Sequence, residues 1–416
     1  THTDGAIIDL KTGSVLNTAK SLTTRNVLAI GIEEVMKKLD PIYFPNIQLI
    51  GISTTLATNS VVEGKSCRVG LIVIGHEAAA NTPADEIMQL KGGHNLQGDK
   101  VADLDIKGAE RFITSVKNNV DAFAISSYLS VRNPEHEIAV RDLVKSMTDR
   151  PVVCGHELSS ALGFNERTIT AVLNARLIPI VSDLISSIQR VQENVGIEAP
   201  LMIVKGDGSL MSVSAAKERP VETILSGPAA SIIGSKSLTD LDDAIIIDIG
   251  GTTTDIGILR GGRPRLDPEG AILSSWKTRV KAVDIFTSGI GGDSRIIVYN
   301  GKIFLTSPRV MPLCVASTIW PIIKLKLEAI RESPERAAPS YMDLDSVPQA
   351  TEFYIFNKKL DEIYLDPDQE KVLELVYQEP RSSYELAKLI NVHPLSLNLH
   401  RLESLGMLLK IGLTPT

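Results

Sequence analysis

The stretch A-I-I-I-D-I-G-G-T-T-T-D-I-G-I-L, residues 244–259, constrains the fold of this chain more than any other. An apolar run from Ile245 to Ile247 delivers Asp248 to a turn at Gly250 and Gly251, and Thr252, Thr253, Thr254 and Asp255 lead into a second apolar run. Two such runs around a glycine pair predict a β-hairpin. Glycines without Cβ let backbone N–H groups approach an anion closely, and threonine hydroxyls donate to phosphate oxygens. Flanking carboxylates hold Mg²⁺ or orient a nucleophile. A glycine pair alone fits an ordinary hairpin; the combined D-x-G-G-T-x-T-D spacing is what points to a nucleotide site.

The chain opens with a partial copy of this stretch. Thr1, Thr3, Asp4, Ile7 and Ile8 align with Thr252, Thr254, Asp255, Ile258 and Leu259, and both copies then reach a glycine-bearing turn, at 11–13 and 261–264. Two related halves, each beginning with a phosphate hairpin, are expected. Such a pair resembles the superfamily of actin, sugar kinases and heat-shock chaperone ATPases, in which ATP lies between two ribonuclease H-like domains. More closely, I-D-I-G-G-T-T-T-D-I-G at 247–257, S-T-T-L-A-T-N at 53–59 and S-G-P-A-A-S at 226–231 resemble the hydantoinase A and 5-oxoprolinase family. The family opens D-x-G-G-T-x-T-D, whereas this sequence starts at the first Thr. The numbered chain is therefore expected to be a trimmed form that binds Mg·ATP weakly.

The resemblance implies an α/β fold with two ribonuclease H-like domains, at 1–178 and 179–350, and a small winged-helix-like module at 351–416. It implies ATP and Mg²⁺ as cofactors, with Asp248 and Asp255 holding the metal and Asp255, Asp248 and Asp4 acting in catalysis. Gly250, Gly251, Thr252, Thr253, Thr254, Thr1, Thr3, Gly291 and Gly292 are then expected at the phosphates. Thr54, Thr55, Thr58 and Asn59 are expected to face the cleft, although one of them suits a helix cap equally well. The implied activity is ATP-dependent opening of a cyclic amide of the hydantoin or 5-oxoproline type, by phosphorylation of its carbonyl oxygen, together with a hydantoinase B-type subunit. An ATPase of the chaperone or activator type, driving a partner protein, is the alternative, and a winged-helix regulator with a ligand-sensing body is a third. Fold analogy does not separate them.

Bulk properties bound the rest. A length of 416 residues suffices for two or three domains. A net charge of −7 argues against general nucleic-acid binding. Cys67, Cys154 and Cys314 lie far apart without C-x-x-C spacing, against a disulfide framework or a zinc site. No signal peptide and no apolar stretch of membrane-spanning length is read, so a cytoplasmic location without membrane or nucleic-acid partners is expected. A homo-oligomer is left open.

Along the chain, apolar strands alternate with amphipathic helices between 69 and 154, which predicts a layered α/β domain. His156 and Glu157, at its end, read as a satisfied polar loop rather than a metal site. Residues 166–191, with Glu166, Arg167 and Thr168, predict one long helix kinked or broken near Pro179. Ser226 reads as an N-cap with Pro228 in the first helical turn. Gly289, Gly291 and Gly292, with Asp284, Asp293 and Ser294, form a second glycine-rich polar loop, in which Asp293 stands where the family carries a third glycine. Asn300-Gly301 predicts a tight hairpin, and residues 316–331 a helix. Pro334, Pro339 and Pro348 mark a linker. Near the chain end, Leu395 to Leu405 offers Arg401 and His400 against Glu403, so a packing or docking module is expected ahead of DNA binding.

Overall fold

In the computed structural model, residues 2–22, 28–62, 67–330, 348–360 and 363–415 are described. Thr1, Pro334 and Pro339 lie outside them. The chain forms two compact units, Thr1–Ile246 with Gly257–Ile285, and Ile247–Ile256 with Phe286–Thr416.

In the first unit, β1 (His2–Ile8) and β2 (Val15–Leu22) pair antiparallel, with Asp4 opposite Lys20 in the register. Helix α1 (Leu28–Lys38), strand β3 (Ile50–Ile52) and helix α2 (Leu56–Val62) follow. The centre of the unit is a parallel sheet of β4 (Val69–Ile74), β5 (Glu86–Leu90), β6 (Ala122–Ser127) and β7 (Val152–Cys154), in the order β5-β4-β6-β7. Every residue of β4 and β6 is buried. That is why these segments read as continuous apolar runs: helices cover both faces, so no face is left for polar alternation. Helices α3 (Ile106–Val116) and α4 (Glu135–Met147) pack Ile113, Val140 and Val144 on Ile72, Phe123 and Ile125.

A short α5 (Gly155–Leu158) leads to α6 (Phe164–Asn194), which lays Ala171, Val172 and Ala175 on the opposite face, against Leu71, Val73 and Ala124. Two expectations are corrected in this helix. It runs unbroken through Pro179 for 31 residues, although an internal proline costs about 3 kcal/mol. It is also long and apolar enough to cross a membrane. Packing accounts for both properties, because 67% of its most apolar window is buried. Successive stripes serve three clusters: Ala171 and Val172 on the sheet, Ile169, Leu173 and Leu177 with Val221 and Ile224, and Val181, Ile185 and Ile188 with Leu201 and Ile203.

Strands β8 (Leu201–Val204) and β9 (Leu210–Ser212) extend β3 into a second small sheet, β3-β8-β9. Helices α7 (Val213–Glu218) and α8 (Ser226–Thr239) lead to the hairpin of β10 (Ala244–Ile249) and β11 (Thr254–Arg260). β11 also pairs with β12 (Arg263–Pro264) and, past the two-stranded β13 (Ile272–Leu273) and β14 (Trp276–Lys277), with β15 (Ile285–Ser288). The chain passes into the second unit within this hairpin: its tip, Ile247–Ile256, is counted there.

The second unit continues with the hairpin of β16 (Ser294–Tyr299) and β17 (Lys302–Arg309). Asn300 and Gly301 turn it with φ of 51° and 70°, the left-handed pair a two-residue hairpin needs. The helix expected over 316–331 is two, α9 (Leu313–Ile319) and α10 (Ile322–Ile330), separated at Trp320 and Pro321, since proline has no N–H to continue the first. Strands β18 (Met311–Pro312), β19 (Phe353–Phe356) and β20 (Leu408–Gly412) form a sheet in the order β18-β20-β19. Helices α11 (Pro367–Gln378), α12 (Ser383–Ile390) and α13 (Leu399–Ser404) pack Val372, Leu386 and Leu402 with Leu408. The fold is mixed α/β with a parallel sheet.

Candidate functional site

The tip of the β10–β11 hairpin and the glycine loop after β15 are one structure, although more than 30 residues separate them in the chain. Gly250 closes the tip by donating its N–H to the Thr253 carbonyl at 2.9 Å. The second loop is laid on it by Gly292 N–H to Gly250 O and Asp293 N–H to Gly251 O, both 2.8 Å. Ser294 Oγ accepts from Gly291 N–H at 2.9 Å. A Cβ on Gly291 would stand 2.6 Å from Gly250 O and 2.7 Å from Gly251 O, so only glycine permits this approach. Gly291→Ala is expected to push the loops apart and to destabilise the second unit by about 1–3 kcal/mol. Denaturant unfolding checks this, and an unchanged midpoint would mean that the loops are independent.

Side chains complete the site. Thr254 Oγ1 donates to Ile290 O at 2.7 Å, and Thr287 Oγ1 donates to Asp255 Oδ1 at 2.6 Å. Arg309, the last residue of β17, donates Nη1 to Thr252 Oγ1 at 2.7 Å. The Asp293 carboxylate lies against Gly251, where a Cβ would be 2.6 Å from its Oδ2. Asp248 ends exposed on β10, and Gly250, Gly251 and Thr252 are exposed as well. Sequence reasoning missed Arg309, 57 residues from Thr252. Its signal was the tight Asn-Gly hairpin, which returns β17 to the level where β16 began.

Other expected site residues lie in the first unit. Asp4 forms an exposed ion pair with Lys20 at 3.3 Å, and Thr3 neighbours it in β1; Thr1 is outside the described residues. The segments 53–59 and 226–231 meet: Ser226 Oγ donates to Thr54 O at 3.0 Å and accepts from Thr54 N–H at 3.2 Å. Ser226 is therefore not an N-cap. Its hydroxyl is spent across the chain, and Leu225, at φ 61°, takes the cap position. Thr54 Oγ1 accepts from Leu56 N–H at the start of α2 and so caps it, Thr58 Oγ1 lies 3.5 Å from Leu225 N, and Asn59 Nδ2 lies 3.4 Å from Thr55 Oγ1.

The residues at the tip fit a phosphate with a divalent cation. A guanidinium and a hydroxyl stand at an exposed turn that lacks side-chain bulk at Gly250 and Gly251, and the carboxylates of Asp255 and Asp293 border it, with Asp248 exposed on the strand that leads in.

Comparison with known proteins extends this. A model of the hydantoinase/oxoprolinase N-terminal region matches residues 1–148, and a hydantoinase/oxoprolinase model matches residues 167–315. The alpha subunit of caprolactamase from Pseudomonas jessenii is 29% identical over 269 residues, which cover 58% of this chain and 38% of that protein. The crystal structure of ATP-dependent caprolactamase from Pseudomonas jessenii superposes with a TM-score of 0.61 at 24% identity, over 84% of this chain and 56% of that one. Nucleotide-free acetone carboxylase superposes with a TM-score of 0.62 at 21% identity, over 74% of this chain and 49% of that one. The structural likenesses show the fold. The chain spans well under two thirds of the length of each of these proteins.

Proposed function

The chain belongs to the hydantoinase/oxoprolinase family, and from that premise we propose that it handles the nucleotide of an ATP-dependent enzyme acting on a cyclic amide of the hydantoin or 5-oxoproline type. The observation that carries this reading is the interlocked pair of glycine loops bordered by Asp255, Asp293, Thr252 and Arg309. An amide carbonyl is a poor electrophile. Transfer of the γ-phosphoryl group of ATP to its oxygen forms one P–O bond and breaks another, releasing ADP; water then adds at carbon, the C–N bond opens with the proton going to the ring nitrogen, and a second water hydrolyses the acyl phosphate left behind to carboxylate and phosphate. Asp248 and Asp255 are the residues that would hold Mg²⁺, which would supply charge neutralisation for that transfer.

The chain's own residues divide the work. Thr252 and Arg309 bond the phosphate, Gly250 and Thr254 hold the turn by bonds to Thr253 and Ile290, and Gly291 and Gly292 fix the second loop beneath it. Thr287 orients Asp255. Thr54, Thr55, Thr58 and Asn59 belong to a cleft wall, and Asp4 and Thr3 to the related first hairpin. This reading takes the domains as ribonuclease H-like at 1–178 and 179–350, with a winged-helix-like module beyond 351, a hydantoinase B-type partner and a cytoplasmic setting. Arg401 supports a packing role for that module, since its guanidinium is spent on Gln369 Oε1 and the Tyr364 carbonyl, at 3.0 and 2.9 Å. The likeness to acetone carboxylase favours a second reading, in which the phosphorylated carbonyl compound is carboxylated rather than hydrolysed.

A screen of cyclic amides and small ketones for stimulation of ATP hydrolysis, with the full-length protein and its partner subunit, tests both. Stimulation by amides alone supports the first reading, by ketones with bicarbonate the second, and by neither compound class removes both. Arg309→Ala is expected to weaken ATP binding about tenfold, the size of one charge-assisted hydrogen bond. Calorimetric titration checks it; an unchanged dissociation constant would take Arg309 out of the site.

A further inference from the structure

The first unit carries a second gathering of polar side chains, at the carboxyl ends of its four parallel strands. In open α/β sheets that edge is where ligands are held. Glu137, fully buried in the first turn of α4, accepts from the backbone N–H groups of Ser127 (2.6 Å) and His156 (3.0 Å) and from His156 Nδ1 (2.5 Å). With Nδ1 carrying the hydrogen of that bond, Nε2 is the ring nitrogen left for a ligand, and the His156 side chain is 18% exposed. On the other side, His136 accepts from Gly93 N–H at 2.9 Å and its ring lies 4.4 Å from that of His94. Leu129, in the loop after β6, is held at φ 56°, a conformation that bulky residues adopt at a cost.

Buried polar atoms without a hydrogen-bond partner are rare in folded proteins. Among the described residues nine side-chain atoms are in that state, and five of them belong to this edge: both ring nitrogens of His94, Ser127 Oγ, Ser130 Oγ and Arg167 Nε. Each of these residues is at most 1% exposed. At the rim, His76 stacks on Tyr128 and Phe164, with centroids 4.9 and 4.7 Å apart, and Tyr128 is 40% exposed. Glu137, Cys154 and His156 also bring three ligand-type atoms within 4.8 Å. A metal centre is the poorer reading, because the Glu137 carboxylate already accepts three N–H bonds and burial pushes the Cys154 thiol up, away from the thiolate that zinc takes.

We propose that this edge binds a small planar amide ring, its face on the exposed Tyr128 ring at the rim and its ring N–H donated to His156 Nε2, with Glu137 as the positioning residue that holds the imidazole. The choice of ring rests on the function proposed above. The full chain, without nucleotide, is titrated with hydantoin and with 5-oxoproline while imidazole ¹H–¹⁵N correlations are recorded. The His156 and His76 signals are expected to shift, and His156→Gln and Tyr128→Ala each to weaken binding roughly tenfold or more, Tyr128→Ala without lowering the melting temperature. Both side chains reach solvent, and Tyr128→Ala keeps the test open should the His156 variant misfold. Signals that stay still at saturating ring compound, or variants that bind as the wild type does, overturn the site. Ring binding without amide-stimulated ATP turnover keeps this site and removes the reaction; stimulated turnover undiminished in both variants keeps the reaction and removes this site.

Discussion

Replacing Asp255 with Asn is expected to reduce ATP turnover by a factor on the order of 100 or more, the size of a lost general-base or metal-positioning contribution. Asp255 is the second residue of the return strand, close to the glycine turn in sequence, and its Oδ1 accepts from the Thr287 hydroxyl at 2.6 Å. An Asn side chain has the same shape and retains an oxygen for that bond. The substitution thus removes the negative charge and little else. Because Asp255 is only partly buried, no uncompensated group is left behind and the melting temperature should stay close to that of the wild type. Steady-state turnover of the full-length variant decides the matter: a folded protein with wild-type rate excludes Asp255 from the reaction. Thr287→Val gives a milder companion, since it takes away the group that aims the carboxylate but not the charge.

The largest effect on stability is expected away from the glycine loops, at Arg295 and Glu352. Both are essentially buried, at 2% and 1% exposure, and the guanidinium Nη2 donates to Glu352 Oε2 at 2.9 Å while Nε bonds the other carboxylate oxygen. Removing one member of such a pair leaves a charge in a low-dielectric surround, which costs about 3–5 kcal/mol. Glu352→Ala should therefore shift the unfolding of the second unit by that amount. Joint replacement by Met at 295 and Leu at 352 should recover most of it, because no lone charge then remains. Urea titration followed by far-ultraviolet circular dichroism measures both. A single variant as stable as the wild type would mean that water reaches Arg295.

What was legible in the sequence was what short-range pattern encodes. The buried strands at 69–74 and 122–127 announce themselves as unbroken apolar runs, Asn300-Gly301 specifies its own hairpin, and the D-x-G-G-T-x-T-D stretch states its hairpin turn in one place. The misreadings share a different cause, namely partners distant in the chain. Ser226 has the composition of a cap, yet its hydroxyl bonds Thr54, 172 residues away. Pro179 looks like a break, but the helix runs on past it, packed into three clusters of side chains from elsewhere. Arg309 and Glu352 carry no local mark at all, since each becomes significant only once a residue 57 positions earlier is placed beside it. The Glu137–His156 pair is of the same kind: each member is ordinary until the strand order β4-β6-β7 brings α4 and α5 together.

The placement of the hairpin tip in the second unit has a consequence for synthesis. Ile247 to Ile256 leave the ribosome before the loop that locks them, which ends about 40 residues later. At the pace of translation, roughly 5–20 residues per second, the tip waits some seconds for Gly291 and Gly292 to arrive. Throughout that interval the turn lacks the bonds from Gly292 and Asp293 that fasten it, and Ile247 and Ile249 are exposed even in the finished fold, at 57% and 67%. The glycine turn is thus fastened only after the rest of its own hairpin has been made.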